Sequence, residues 1–211
     1  MTVGKPDFDT LQKIAGVSRE TYEDLIAFSD LLTKWNRSIN LVSPGSIPEL
    51  WDRHILDSAQ LFPMIDESVQ HVVDIGTGGG LPGLVLAILF KHHAPQRQMT
   101  LIESDKRKCA FLLTVSTTLQ LNTTVIAKRI EEVERVNADV LTSRALAPLE
   151  QLLGYAHRHL KPSGTALLLK GRKAETEIEE ALASWSMDLK RRDSKTTDDA
   201  VVLDITNLRR R

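Results

Sequence analysis

Apolar residues in the first third of the chain recur at helical spacing. From Glu20 to Leu41 the positions Leu25, Phe28, Leu32, Trp35 and Ile39 alternate steps of three and four, which predicts an amphipathic helix closed by Ser43-Pro44-Gly45. A second helix is expected from about Pro48 through Leu50, Trp51, Ile55 and Ala59 to Phe62, with Pro63 ending it. At His71-Val72-Val73-Asp74-Ile75 the period changes to that of a short β-branched strand, followed by glycines and an apolar helix from Pro82 to Phe90. Strand and helix then alternate: a strand at Met99–Glu103, a helix from Lys106 to about Thr118 and a strand near Thr124–Ala127. Val140–Ser143 and Ala166–Leu169 read as two more strands, with a helix from Leu149 to His159 between them. The tail from Trp185 to Ile205, with Lys190 to Asp199 as a polar loop, reads as a closing antiparallel hairpin. The pattern implies an α/β fold of the Rossmann-like class: a mostly parallel sheet at 70–211, helices on both faces, preceded by a helical extension at 1–69.

Composition narrows the setting. A chain of 211 residues accommodates one such domain with an extension. Its 27 basic and 28 acidic residues give no general attraction to a polyanion, so any nucleic-acid contact rests on local basic clusters. A single cysteine, Cys109, forms no internal disulfide and supplies no cysteine-based zinc site, consistent with a reducing cytoplasm. The segment Met1–Asp7 lacks the apolar core of a signal peptide, and the longest apolar run, Leu84 to Phe90, is too short to span a bilayer. A cytoplasmic protein without membrane contact is expected, and a monomer, since no coiled-coil seam is present.

The candidate chemistry lies at the strand ends. Asp74-Ile75-Gly76-Thr77-Gly78-Gly79-Gly80 turns a strand sharply into a helix and leaves backbone amides free to approach a ligand, small size at Gly76 and Gly78 being the requirement. Leu81 stands beside this turn. Because Gly78-x-Gly80-x-x-Gly83 also meets the dinucleotide pattern, a nicotinamide or flavin enzyme competes with a methyltransferase on this motif alone. Glu103 ends the second strand, where a carboxylate accepts ribose hydroxyls, or else it caps the helix that begins near Asp105. Ile130-Glu131 follows the third strand, where an adenine ring would rest. Arg129, Arg144 and Lys170 follow the ends of three strands and suit a polyanionic substrate across that rim. His54, Asp57 and Ser58 crowd one helical face and do not form a nucleophile–base–orienter line, so a hydrolase is rejected. They read as a polar patch tying the extension to the sheet, or as a substrate-facing group.

If the turn holds a methyl donor, two acceptor chemistries drop out. Cys109 lies inside a helix rather than at the rim, against methylation of pyrimidine C5 by way of a cysteine nucleophile. Ser143-Arg144-Ala145-Leu146-Ala147-Pro148 lacks the Asn/Asp-Pro-Pro-aromatic stretch used for exocyclic amino groups. An acceptor with its own free lone pair remains.

Trp35-Asn36-x-x-x-Asn40-Leu41, Arg53-His54-Ile55-Leu56-Asp57-Ser58, the glycine turn through Gly83, and Ser143-Arg144-Ala145 occur in one order. Together they resemble the bacterial 16S ribosomal RNA N7-guanine methyltransferases, the glucose-inhibited division protein B family, from about Leu31 to Gly171. The glycine turn is common to many methyltransferases, whereas the His-Ile-Leu-Asp-Ser helix is specific. The resemblance implies S-adenosyl-L-methionine as cofactor, with Gly76, Leu81, Ile130, Glu131 and Arg144 at the family's cofactor positions; Asp74, Gly78 and Glu103 are expected beside them from the turn and the second strand. It implies a 16S ribosomal RNA guanine as acceptor, within the small subunit or an assembly intermediate. Arg144 and Arg129 match active-site arginines, and His54, Asp57, Arg129 and Lys170 are expected on the substrate. The family carries an arginine just before its last strand, where this chain has Asp198-Asp199-Ala200, leaving open whether Arg209–Arg211 replace it. The alternatives are a methyltransferase acting on a small molecule or protein, a nicotinamide oxidoreductase and a non-catalytic RNA-binding module.

Overall fold

The computed structural model describes residues 8–211; Met1–Asp7, on which the signal-peptide reading rests, lie outside the described residues. The sheet runs β3-β2-β1-β4-β5-β7-β6. Its parallel part is β1 (His71–Ile75), β2 (Gln98–Ile102), β3 (Thr123–Ile126), β4 (Ala138–Arg144) and β5 (Leu160–Lys170). At the far edge β7 (Val201–Arg210) pairs antiparallel with both β5 and β6 (Trp185–Asp193). The expected hairpin is therefore present, with a shorter loop than Lys190–Asp199 and longer strands. After β1 the chain moves out to β2 and β3, then crosses back to β4 on the other side of β1. That reversal opens a crevice at the carboxyl ends of β1 and β4, where open α/β sheets bind their ligands.

Strand periodicity of two builds two cores. Val72, Leu101, Val140, Leu167, Leu169 and Val202 face one side, and Val73, Ile75, Ile102, Leu141, Leu168 and Leu203 face the other. Helices α4 (Gly83–His93) and α5 (Lys106–Thr118) cover the first face, and α6 (Leu149–His159) and α7 (Ala174–Ala181) the second. The extension adds a layer outside α4. Its helices α1 (Phe8–Ala15) and α2 (Arg19–Asn36) place Leu11, Leu25, Phe28 and Leu32 in the same core as Leu84–Phe90. This explains the uninterrupted apolar run: α4 is buried by the sheet on one side and by the extension on the other, so it has no polar face. Lys91 and His92, at its exposed end, pair with Asp24 of α2 at 2.9 and 2.8 Å.

Two helix boundaries differ from expectation. Helix α2 stops at Asn36 rather than near Leu41, because the Asn36 side-chain oxygen accepts the backbone N–H groups of Leu41 and Val42 at 2.8 and 3.0 Å. The expected second helix is a π-helical turn, Trp51–Leu56, leading into one short α turn, α3 (Asp57–Ala59). Helix α7 was not expected; its small buried stripe of Ala174, Ile178 and Ala181 lies among glutamates. Among the described residues, no helix is long and apolar enough to cross a membrane.

Helix α4 docks on the sheet through Gly83, where a Cβ would stand 2.4 Å from Leu101 and 2.7 Å from an Asp74 oxygen. Gly83→Ala is expected to lose about 1–3 kcal/mol through overpacking, lowering Tm by about 2–4 °C for each kcal/mol. Thermal unfolding followed by circular dichroism checks this, and an unchanged Tm would show that the helix can lift without cost.

Candidate active site

The glycine turn is held from below. Asp74, fully buried, accepts the Gly83 N–H at 3.0 Å and the Thr142 hydroxyl at 2.8 Å, joining β1, the start of α4 and β4. Burial raises its carboxyl from an ordinary value of 3.8 to about 6, against the pull of its hydrogen bonds and of Arg144. The turn passes through positive φ at Gly76 and Gly80, which glycine adopts without a Cβ clash. At Gly76 space is also decisive, since a Cβ would lie 2.4 Å from the Leu146 side chain. At Gly78 the nearest atom is 3.8 Å away, so its positive φ, rather than the expected need for small size, is the constraint.

Over this turn opens a cavity of about 430 Å³ lined by Gly76, Gly78, Glu103, Ile130, Glu131 and Leu146, among others. Glu103 accepts the Gly78 N–H at 2.9 Å and the Asp105 N–H at 2.8 Å. The cap of α5 is Asp105 itself, which accepts from Arg107 and Lys108, so Glu103 steadies the turn and also faces the cavity. Ile130 is buried, and Glu131 accepts a hydrogen bond from Tyr155 that holds its carboxyl below the usual range. Arg129 lines the same cavity, exposed. Gln151 and Tyr155 of α6, with Lys108 and Lys128, complete the wall. Sequence reasoning missed Gln151 and Tyr155, although their i,i+4 spacing puts them on one helical face.

A second cavity, about 350 Å³, lies on the other side of Ala145, the residue common to both linings. Its walls include Asp57, Arg144, Leu169, Lys170, Arg172 and Glu177. The Arg144 side chain turns toward the extension, donating to the Arg53 carbonyl at 2.9 Å and facing Asp57 at 3.5 Å. Arg144 thus lines this neighbouring cavity, not the one over the glycine turn. Asp57 also accepts from Gln60, Ser194 and Thr196, fastening the β6–β7 loop to the extension. Lys170 pairs with Glu177 at 2.6 Å and donates to the Ala147 carbonyl, so it is no free phosphate-binding cation.

Three expected site residues line neither cavity. Asp74 and Leu81 are buried beneath and beside the turn and shape it through packing. His54 contacts Ser46 at 2.8 Å, and because the Ser46 hydroxyl donates to the Ser43 carbonyl, the His54 Nε2–H is the donor. Burial, followed by the charges of Arg144 and Arg53, pushes the imidazole down to about 3, so it is neutral at pH 7. Arg209–Arg211 do not replace the missing arginine. Strand β7 starts beside Lys170 at the cavity rim and carries Arg209 to the opposite end, opposite Ser186. Asp199 instead receives a forked pair from Arg172, at 2.9 and 2.6 Å.

A family model, rRNA small subunit methyltransferase G, matches residues 21–200 of the chain. The chain belongs to the rRNA small subunit methyltransferase G family. It is 48% identical over 196 residues to the ribosomal RNA small subunit methyltransferase G of Paramagnetospirillum magneticum, covering 93% of each chain. To the protein of the same name from a Ruegeria species it is 47% identical, over 92% of this chain and 94% of that one. Its fold is also that of a SAM-dependent methyltransferase from Aquifex aeolicus, with a TM-score of 0.59 at 13% identity, covering 84% of this chain and 97% of that chain. A putative O-methyltransferase from Klebsiella pneumoniae has a TM-score of 0.60 at 11% identity, covering 94% and 95%. In this family member the glycine turn, Glu103 and the Ile130-Glu131 pair surround one cavity, while the His-Ile-Leu-Asp-Ser segment borders the other.

The turn's dependence on Asp74 has a pH signature. Between about pH 4 and 6 the folded chain retains a proton on Asp74 that the unfolded chain releases, so stability falls as pH rises through that window. Relative to Asp74→Asn, the wild type should lose up to about 3 kcal/mol from pH 4 to pH 7. Urea unfolding of both proteins at several pH values measures the difference; a constant gap would mean that Asp74 ionises normally despite its burial.

Proposed function

We propose that this protein transfers a methyl group from S-adenosyl-L-methionine to N7 of a guanine in 16S ribosomal RNA, acting as a monomer on the small subunit or an assembly intermediate in the cytoplasm. The observation that carries this reading is the pair of adjoining cavities at the sheet's switch point, one lined by the glycine turn, Glu103 and Ile130-Glu131 and the other bordered by Asp57 of the extension.

The residues fit the cofactor. Glu103 faces the cavity where a ribose diol needs acceptors, and Ile130 with Leu146 offers apolar surface to an adenine ring. Glycine at Gly76 leaves room that a Cβ would fill. Bound there, S-adenosyl-L-methionine supplies an electrophilic methyl carbon on a sulfonium. Guanine N7 carries a lone pair and no proton, so the protein needs no general base. The surroundings agree: His54 is neutral and committed to Ser46, and Asp74 is enclosed beneath the turn. What remains for the protein is alignment, which can lower a barrier by about 7–11 kcal/mol. Arg144 would set the wall between extension and sheet, and Arg129, exposed at the rim with Lys128, would meet the RNA backbone.

Two measurements test this. Incubation with labelled S-adenosyl-L-methionine and undermodified small ribosomal subunits, followed by nucleoside analysis, is expected to place label in 7-methylguanosine. Cofactor binding without labelled RNA would move the acceptor to a small molecule or protein, and stabilisation by a nicotinamide nucleotide instead would reject the class. Arg144→Ala is expected to lower kcat roughly 100-fold through misplacement while keeping the shape of the pH–rate profile. Loss of an acid or base limb, with binding intact, would instead assign Arg144 a proton-transfer role.

A further inference from the structure

The second cavity has a charge pattern suited to a neutral base. Inside it Arg144 faces Asp57, and Lys170 is paired with Glu177, so its two cations are matched by two carboxylates. The remaining cations, Arg172 and Lys173, belong to the exposed turn after β5. A phosphate gains little from such an interior, whereas a purine with both donors and acceptors on its edges is matched by it.

The two carboxylates differ in what they have left to offer. Asp57 Oδ1 already accepts from Gln60, Ser194 and Thr196 at 2.8, 3.4 and 3.1 Å, and Oδ2 faces Arg144. Glu177 uses only one oxygen: Oε2 accepts both the Lys170 ammonium at 2.6 Å and the Leu149 N–H at 2.7 Å. Those two bonds fix the carboxylate, and Oε1 accepts no hydrogen bond from the described residues. An oriented carboxylate oxygen with free lone pairs, in a cavity one residue away from the cofactor's, is an acceptor waiting for donors.

From this geometry we infer that Glu177 Oε1 reads the target guanine, accepting hydrogen bonds from its N1–H and N2–H. The inference rests on the proposed function and adds a specificity-determining and catalytic residue to it. With that edge held by α7, the base is fixed by the side away from N7, leaving N7 free to face the methyl donor across Ala145. The guanine N7 lone pair forms the new N–CH3 bond, the S–CH3 bonding pair returns to sulfur, and no proton moves. One positive charge thereby passes from the sulfonium to the purine. A ring gaining positive charge makes its N1–H and N2–H stronger donors, so the bond to Glu177 tightens in the transition state rather than in the ground state. Adenine, which presents an acceptor at N1, would set a lone pair against the carboxylate and be rejected.

Glu177→Gln tests the role with predictable geometry. Because Lys170 and Leu149 both donate to one oxygen, the amide carbonyl must take that side and turn its NH2 toward the guanine donors. The expected result is a fall in kcat of about 10- to 100-fold, with KM for the cofactor unchanged and the cofactor-induced rise in Tm retained. The sharper readout is inosine, which lacks the N2 amino group, placed at the target position in reconstituted small subunits. Wild-type protein should methylate inosine about 10-fold more slowly than guanosine, and Glu177→Gln should lose that discrimination. Equal rates on guanosine and inosine with wild-type protein would overturn the assignment without any need for the variant to be active, and equal discrimination in both proteins would overturn it from the residual activity of Glu177→Gln. If wild-type protein methylates no small-subunit guanosine although it binds the cofactor, the proposed function fails, and this inference fails with it.

Discussion

The site depends on one buried carboxylate. Asp74 binds a backbone amide at the start of α4 and a hydroxyl on β4, so a single side chain fixes the separation of the strand, the helix and the neighbouring strand between which the crevice opens. Burial of the carboxyl raises its proton affinity, and hydrogen bonds recover part of that cost. This constraint makes Gly83 obligatory as a residue without a side chain, since Asp74 occupies the space where its Cβ would be. It also explains why an acid at this position need not touch the ligand to matter for binding it.

The extension is tied to the site through the same rim. Packing against α4 buries its apolar stripe, and the π-helical turn at Trp51–Leu56 brings the Arg53 carbonyl and Asp57 to Arg144. Asp57 and Gln60 then hold residues 194 and 195 of the β6–β7 loop. Three parts of the chain that are remote in sequence thus meet around one arginine at the end of β4. Ala145, next in sequence, takes a positive φ and lies between the two cavities. A non-glycine residue in that conformation costs roughly 1 kcal/mol, a strain tolerable where neighbours on both sides fix the backbone.

How much of this was legible in the sequence follows from how local each feature is. The ends of α5 and α6 were read correctly because Asp105 and Pro148 precede continuous helical patterns. The lining of the cavity over the glycine turn was legible because its parts follow one another after β1, β2 and β3. The end of α2 was not, because a side chain five residues upstream replaces the helical bonds. Nor was the role of His54 and Asp57 separable: at helical spacing both share a face, and only the π-helical turn sends Asp57 to Arg144 and His54 to Ser46. The second cavity was least accessible, since its walls come from positions 57, 144–145, 169–173, 177 and 200, and α7 carries only a weak apolar stripe.

The acidic pair before the last strand illustrates the same point. By position, Asp198-Asp199 removes an expected arginine from the rim, and the arginines at the chain end look like a replacement. The antiparallel course of β7 excludes that, because a ten-residue strand carries them to the opposite end of the sheet's strands. Positive charge reaches the rim instead from Arg172 on the turn after β5, drawn over the cavity by Asp199. Both partners are largely solvent-exposed, so the pair contributes about 0–1 kcal/mol, and phosphate oxygens can compete for the guanidinium at little cost. An acidic residue where a basic one is usual therefore serves to place a cation borne by another loop.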